Sequence, residues 1–351
     1  MNHLSRVGVF LIAGLLTGCA APSVETSILM PAKQASMAAA KRIGITPLKG
    51  DQAGQYTAQL QAFIANIKVE GEPFFTLIDI DRSAVMREQR LSDSALFDAE
   101  TAVELGRLVA ADTILSGAVQ TPKYTKTRSV EEREKCVAGK KAENGSGYET
   151  CEKYETYIVP CAHQSMRFGV TLRATNVATG TVGFIQDYAD TAGHHYCADT
   201  GRARDKESLK AEAIGKVTQK VRMDIAPYPV RFTISFLDYD EKSGLGRKNL
   251  FFSDKANVTT AFEAGLDLAG KNQSAAACVQ FRKAASLFNG SPAIFHNLGV
   301  CAELEGNFDK AIAFYEQSAL VSAGAIGVTA EALERAKRNQ ASSAKANAQL
   351  R

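Results

Sequence analysis

The spacing of apolar residues in the first half of the chain changes repeatedly between the period of a strand and the period of a helix. RIGITP ends in a proline after alternating apolar positions, whereas the apolar residues from Tyr56 to Ile67 recur at helical spacing. The predicted strands cover residues 42–47, 74–80 and 113–119, and the predicted helices cover residues 56–67, 85–91 and 99–109. Such alternation is typical of an α/β fold in which helices cover a layered sheet.

A hairpin is predicted after these elements. Two alternating segments, 168–176 and 181–188, flank Ala178-Thr179-Gly180, and the glycine suits the left-handed position of a three-residue loop. In that register the numbers of facing residues sum to 358, which also places Cys161 opposite Cys197. Facing residues of an antiparallel pair lie about 5.5 Å apart, within reach of a disulfide. A single bulge would shift this register by one residue.

The remaining cysteines of this region are Cys136 and Cys151, which we expect to close the turn that contains Asn144-Gly145. A disulfide between Cys151 and Cys161 would close a smaller loop and is the alternative pairing. The segment between the predicted strands, residues 120–166, is therefore expected to be a β-hairpin insertion with two disulfides.

The chain after residue 205 has a different pattern. A helix is predicted over 206–225 and a strand over 230–237, after which the chain repeats with a period of 34. The repeated residues are Gly265 and Gly299, Ala277 and Ala311, and Phe281 and Tyr315. This pattern resembles the tetratricopeptide repeat, which implies an all-α module of two repeats and a capping helix over residues 256–348. Cys278 and Cys301 lie on packed helices, either as a third disulfide or as two buried thiols.

The N-terminus predicts export and lipid attachment. An apolar run from Val7 to Leu16 is too short to span about 30 Å of hydrocarbon, and it ends in Leu-Thr-Gly-Cys. This tetrapeptide resembles a bacterial lipobox, which implies a signal peptide over residues 1–18 and acyl chains on Cys19. Ala20 in place of Asp implies the outer membrane. Residues 19–40 are rich in Ala, Ser and Pro and predict a flexible tether, and export implies an oxidising compartment in which thiols pair.

The blocks RIGITP, FFTLIDIDRSAVMREQRLSDS, AETAVELGRLVAADTILSGAV and FGVTLRATNVATGTVGF occur in the order found in CsgG-type lipoproteins. The chain resembles that family over residues 41–240. The resemblance implies a CsgG-like α/β domain in a periplasm-facing protein that is not an enzyme. Channel-forming relatives insert two hairpins per subunit into the outer membrane, but residues 121–165 of this chain hold fifteen Lys, Arg, Asp or Glu. Charge on both faces is unfavourable for a lipid-facing strand.

Composition narrows the function further. The net charge of +3 is small and the charged residues are interspersed, which argues against a nucleic-acid partner. His194-His195 beside Cys197 suggests zinc, yet the sequence offers no Cys-x-x-Cys and no second histidine pair, so neither a metal nor a cofactor is expected. No catalytic motif occurs.

These observations predict an outer-membrane lipoprotein that faces the periplasm and acts as a protein-binding adaptor or assembly factor. We expect it to bind envelope proteins or peptides through the helical repeats and the membrane through its N-terminal lipid. The alternative is a subunit of an oligomeric secretion channel, which would make the protein a homo-oligomer.

Overall fold

The computed structural model describes residues 21–78, 80, 99–142, 147–238, 256–322 and 327–351. The predicted signal peptide, the predicted lipid-anchor residue Cys19 and the helix predicted over 85–91 lie outside these residues. The chain divides into two compact units. The first comprises residues 29–228 and 344–351, and the second comprises the residues up to Ile28 together with 229–343.

The structure is mixed α/β, with a central sheet followed by a helical region. The strands are β1 (Ser23–Met30), β2 (Arg42–Ile45), β3 (Lys68–Val69), β4 (Glu72–Pro73), β5 (Thr76–Ile78), β6 (Thr113–Lys141), β7 (Tyr148–Asn176), β8 (Val182–Cys197) and β9 (Tyr228–Ser235). The helices are α1 (Ala35–Ala39), α2 (Gln55–Ala65), α3 (Ala99–Leu108), α4 (Lys206–Ile225), α5 (Ala256–Gly270), α6 (Ser274–Leu287), α7 (Pro292–Leu304), α8 (Phe308–Val321) and α9 (Gly327–Leu350).

The central sheet has the strand order β5-β2-β6-β7-β8. Strand β2 runs parallel to both β5 and β6, and β6, β7 and β8 are successively antiparallel. The register predicted for the β7–β8 hairpin is confirmed, because Cys161 faces Cys197 and the sum of 358 holds as far as Ala174 and Phe184. A bulge follows at Ala174/Thr175, next to the turn, and so leaves the cysteine pair in register.

The two faces of this sheet are covered by different helices. Helix α4 has the predicted bounds, begins with Asp205 accepting a hydrogen bond from the Ser208 amide, and buries apolar residues four positions apart. Its buried row is Leu209, Ala213, Val217 and Val221, which packs with α2 and the apolar residues of β7. A smaller cluster that includes Ala102 of α3, Ile114 and Val177 lies on the opposite side.

Residues 21–40 do not form the flexible tether that their composition predicts. They fold into β1, which pairs with β9, and into α1. Met37 and Ala38 of α1 are fully buried, and the amides of Lys33 and Gln34 donate to the carbonyls of Met223 and Asp224. Small residues suit a close approach between chain segments, so the alanine content of this stretch reflects tight packing and not freedom of movement.

The second unit contains β9 and most of the helical region, whose described helices are α5 to α8 and the larger part of α9. Helices α5 and α6 pack as a pair, as do α7 and α8. The predicted capping helix corresponds to α9, which continues to Leu350. Phe236, Phe262, Phe281, Ile294, Val300 and Tyr315 are among the buried residues of the core of this unit.

Candidate functional site

Six cysteines form three disulfides, of which two were predicted and the third was one of two alternatives. Cys136 joins Cys151 with a Cα separation of 5.8 Å, and Cys161 joins Cys197 at 4.0 Å. The prediction of disulfide bonds is confirmed, and the alternative between Cys151 and Cys161 is not formed. In the helical region, Cys278 of α6 and Cys301 of α7 form the third disulfide, with a Cα separation of 5.7 Å.

The first two disulfides lie at either end of a projecting two-stranded ribbon. Strand β8 ends at Cys197, opposite Cys161, whereas β6 and β7 continue their pairing to Lys141 and Tyr148. We call residues 130–141 and 148–160 the arm. At a rise of about 3.3 Å per residue, the stretch from residue 130 to residue 141 gives the arm a length of about 40 Å. The Asn144-Gly145 turn lies outside the described residues.

One face of the arm carries a row of exposed apolar side chains. Val130 is 67% exposed, Ile158 is 65% exposed and Tyr154 is 58% exposed. Paired residues of an antiparallel ladder share a face, and Val130 pairs with Pro160 while Glu132 pairs with Ile158. We call Val130, Tyr154, Ile158 and Pro160 the apolar stripe. Glu132 and Glu134 lie on the same face, so the stripe is bordered by carboxylates.

The other face of the arm is polar and internally paired. The Arg133 guanidinium lies 3.0 Å from a carboxylate oxygen of Glu131 and 3.5 Å from one of Asp199. The Nε2 atom of His195 lies 3.3 Å from the second oxygen of Glu131. Beneath these groups, Val159 packs against the Cys161–Cys197 disulfide. At the base of this face, Glu131, Arg133 and Asp199 are therefore paired within the chain.

A group of metal-ligand residue types lies at the base of this polar face. One ligand atom from each of Glu131, Cys161, His195 and Cys197 lies within 4.8 Å of every other. Glu131 is distant from His195 along the chain, so the sequence pattern around His195 does not indicate that it belongs to this group. The register of β6 against β7, with facing numbers summing to 290 over this stretch, is the signal that would have found it.

In the helical region, the residues repeated at a spacing of 34 make equivalent contacts. A Cβ atom on Gly265 would lie 2.7 Å from the ring of Phe281, and one on Gly299 would lie 2.5 Å from the ring of Tyr315. Ala277 and Ala311, the third repeated pair, are fully buried. In each helix pair, the glycine thus makes room for an aromatic ring of the next helix.

One face of α7 is covered by the chain itself. The Asn297 side chain accepts a hydrogen bond from the amide of Leu237 (2.7 Å) and donates one to its carbonyl (3.1 Å). His296 contacts the Ser235 carbonyl through Nε2 at 3.3 Å and the Thr329 hydroxyl through Nδ1 at 3.0 Å. Burial lowers the pKa of His296 to about 4, so the ring is neutral near pH 7.

A buried charged cluster lies on the same helix. One oxygen of Glu303 lies 2.6 Å from both the Arg335 guanidinium and the Tyr315 hydroxyl, and the other lies 3.2 Å from Arg335 Nε. Burial and the adjacent carboxylate raise the pKa of Tyr315, so the phenol remains protonated and donates to Glu303. Burial acts to lower the pKa of Arg335, but its bonds to Glu303 outweigh this and raise it.

The first unit contains a cavity of about 180 Å³ between α2, α4 and the central strands. Its lining includes the side chains of Gln55, Gln59, Lys210 and Phe168, together with Tyr56. Burial raises the pKa of Tyr56 to about 12. The cavity is smaller than the roughly 300–1,000 Å³ typical of small-molecule sites.

Among the described helices, none combines the length and apolar character needed to cross a membrane.

Comparisons with known proteins give weak similarities. No family model matches the chain, and no curated protein matches it. Solved structures that resemble it include two PelC dodecamers from Paraburkholderia phytofirmans. One, a single-residue variant, is 14% identical, covers 57% of this chain and 96% of its own, and has a TM-score of 0.25. The other is 16% identical with the same coverage and a TM-score of 0.23.

A third similar structure is the hypothetical protein CT253 from Chlamydia trachomatis. It is 12% identical, covers 53% of this chain and 98% of its own, and has a TM-score of 0.27. Similarities of this strength carry no argument about function.

Proposed function

We propose that the protein is a periplasm-facing lipoprotein of the outer membrane, anchored through acylated Cys19, that binds an envelope protein as an adaptor or assembly factor. It acts by binding and not by catalysis. The observation that carries this proposal is the apolar stripe on the arm, where Val130, Tyr154 and Ile158 are each more than half exposed. Contiguous exposed apolar side chains rimmed by polar groups are typical of protein interaction sites.

The energetics of the stripe favour a protein partner. Complete burial of a Val or Ile side chain contributes about 1.5–3 kcal/mol, and tyrosine is enriched among residues that dominate binding energy. The Cys136–Cys151 disulfide lies beside Tyr154, because Cys136 is the ladder partner of that residue. This cross-link holds the strand pair in the conformation that presents the stripe, which reduces the entropy lost on binding.

The proposal also includes a more specific assignment of the fold of each part of the chain. We infer that the first unit is a CsgG-like domain and that the helical region contains two tetratricopeptide repeats. The equivalent packing of Gly265 on Phe281 and of Gly299 on Tyr315 supports the repeats. Asn297 already binds Leu237, and His296 already contacts Ser235. We therefore propose that the partner binds the arm and that this face of α7 has a structural role.

The distribution of charge on the arm disfavours the alternative, a subunit of a secretion channel. A membrane-spanning strand needs an apolar face towards the lipid, with polar groups directed to the other side. Glu132 and Glu134 lie on the same face as Ile158, and Glu131, Arg133 and Glu155 lie on the opposite face. The carboxylates of Glu132 and Glu134, which border the stripe, favour contact with a protein that supplies lysine or arginine.

A matched pair of substitutions tests the proposal. Ile158→Glu adds a charge to the stripe, whereas Tyr157→Glu adds the same charge to the adjacent position on the opposite face. Both proteins are expressed with the intact lipid signal, and membrane complexes extracted in mild detergent are sized by native electrophoresis. We expect the unsubstituted protein to migrate as a complex with its partner, Ile158→Glu to migrate as the free lipoprotein, and Tyr157→Glu to migrate as the complex.

Two further results would contradict the proposal. One is an unchanged complex in Ile158→Glu. The other is a large membrane-spanning ring in electron micrographs of the extracted protein, which would favour the channel. The anchor is tested separately, since Cys19→Ser is expected to release the protein from the membrane fraction.

A further inference from the structure

Four side chains with metal-ligand chemistry converge on the polar face at the base of the arm. Glu131 comes from β6, Cys161 comes from β7, and His195 and Cys197 come from β8. Their ligand atoms lie within 4.8 Å of one another. The proposed function does not use this cluster, which lies on the opposite face of the sheet from the apolar stripe.

The sheet register explains why these four residues meet. Cys161 faces Cys197 directly, and His195 precedes Cys197 by two residues, which places both side chains of β8 on one face. Glu131 faces Val159, which precedes Cys161 by two residues on β7 and therefore shares its face. The cluster is thus a compact patch across three paired strands, and the strands themselves hold its geometry.

The groups around the cluster orient it. One oxygen of Glu131 lies 3.0 Å from Arg133, which also contacts Asp199, and the other oxygen lies 3.3 Å from His195 Nε2. Outer contacts of this kind orient the ligands of metal sites. The two cysteines are almost fully buried, whereas the side chains of Glu131 and His195 are 41% and 47% exposed. A metal ion would therefore enter from the carboxylate and imidazole side.

We propose that reduction of the Cys161–Cys197 disulfide converts this patch into a zinc-binding site. A dithiol reductant supplies two electrons and two protons, so that the sulfur–sulfur bond breaks, two thiols form and the reductant becomes a disulfide. Zn²⁺ then displaces the two thiol protons and binds both thiolates, the neutral imidazole of His195 and the carboxylate of Glu131. The oxidised protein lacks the thiolates and does not hold the ion.

The ligand set suits zinc in number and kind. Zinc sites in proteins are usually tetrahedral and use thiolate, imidazole and carboxylate ligands at about 2.0–2.3 Å. Such bond lengths place neighbouring ligand atoms about 3.5 Å apart, so the cluster needs to contract by about an ångström on binding. The sulfur atoms need to separate as the disulfide opens. Both changes are within the reach of side-chain rotation about fixed strands.

The test uses the purified full chain and Co²⁺ as a spectroscopic probe, under anaerobic conditions after treatment with a phosphine reductant. We expect one Co²⁺ per chain with a thiolate charge-transfer band after reduction, and no such band in the oxidised protein. The reduced double variant Cys161→Ser/Cys197→Ser should lose the band. Since reduction also opens the other two disulfides, this variant shows how much signal their four cysteines contribute.

Two adjacent histidines provide the matched control. His195→Ala is expected to weaken Co²⁺ and Zn²⁺ binding by more than the roughly 10–100-fold loss typical of a residue that contacts a metal ligand but not the metal. His194→Ala should leave affinity unchanged, because that side chain is on the other side of β8, near the Arg202 carbonyl. Equal affinity in His195→Ala and wild type, retention of the band in the double-cysteine variant, or equally tight binding by the oxidised protein would overturn the proposal. Circular dichroism of each variant checks that loss of binding is not loss of fold.

Discussion

The buried cluster around Glu303 allows a quantitative test of the helical region. The Glu303 side chain is fully buried, and Arg335 from α9 is the cation that neutralises it. Replacing Arg335 with Met keeps most of the apolar stem but removes the guanidinium. The Glu303 carboxylate then loses its two hydrogen bonds from Arg335 and keeps the one from the Tyr315 hydroxyl. Removing one partner of a buried ion pair costs about 3–5 kcal/mol, because the other charge is left without compensation.

A second substitution separates this mechanism from loss of packing. Glu303→Gln removes the charge while keeping an acceptor for Tyr315. In the Arg335→Met/Glu303→Gln double variant neither charge of this pair remains, so we expect it to be more stable than Arg335→Met alone. A coupling free energy of about 1–3 kcal/mol is typical of residues in direct contact.

The assay is urea unfolding of the full chain, combined with hydrogen exchange of peptides from α7 and α8. Exchange is needed because the chain has two compact units, whose unfolding need not coincide. We expect Arg335→Met to speed exchange in these helices and the double variant to recover much of the protection. A loss below about 1 kcal/mol in Arg335→Met, or costs that simply add in the double variant, would refute the reasoning.

Three further predictions follow from the same structure. Gly299→Ala should destabilise the protein by about 1–3 kcal/mol in thermal unfolding because its Cβ would lie 2.5 Å from an aromatic ring, whereas Gly270→Ala, with open space around it, should not. His296 has a pKa of about 4 when folded and about 6.5 when unfolded, so stability should fall by about 3 kcal/mol as the pH drops through this window; a His296→Gln variant should show a smaller dependence. Replacing Cys136 and Cys151 with Ser should increase hydrogen exchange in the arm alone, and increased exchange throughout the chain would contradict this.

Local patterns in the sequence predict several elements closely. Helix α4 has the predicted bounds because Asp205 caps its start and Pro227 follows its end, and both signals are local. The register of the β7–β8 hairpin follows from a single turn, since pairing propagates along the strands until a bulge occurs. The glycine–aromatic contacts of the helical region follow from the 34-residue repeat.

Features that depend on distant parts of the chain could not be predicted in this way. The length of β6 beyond Val119 depends on its pairing with β7, and its charged segment lacks apolar alternation. Residues 23–39 are ordered by contacts with β9 and α4, which lie about two hundred residues away. The contacts of Asn297 with Leu237 similarly join positions 60 residues apart, so no local pattern indicates that the α7 face is covered.

Site-specific photocrosslinking in intact cells tests whether the apolar stripe binds a protein in the envelope. A photoreactive residue is placed at Val130 or Ile158 on the stripe, and at Arg133 or Tyr157 on the opposite face as matched controls. We expect one discrete protein adduct, the same from both stripe positions and absent from both control positions. No adduct from the stripe, or equal adducts from the two faces, would contradict it.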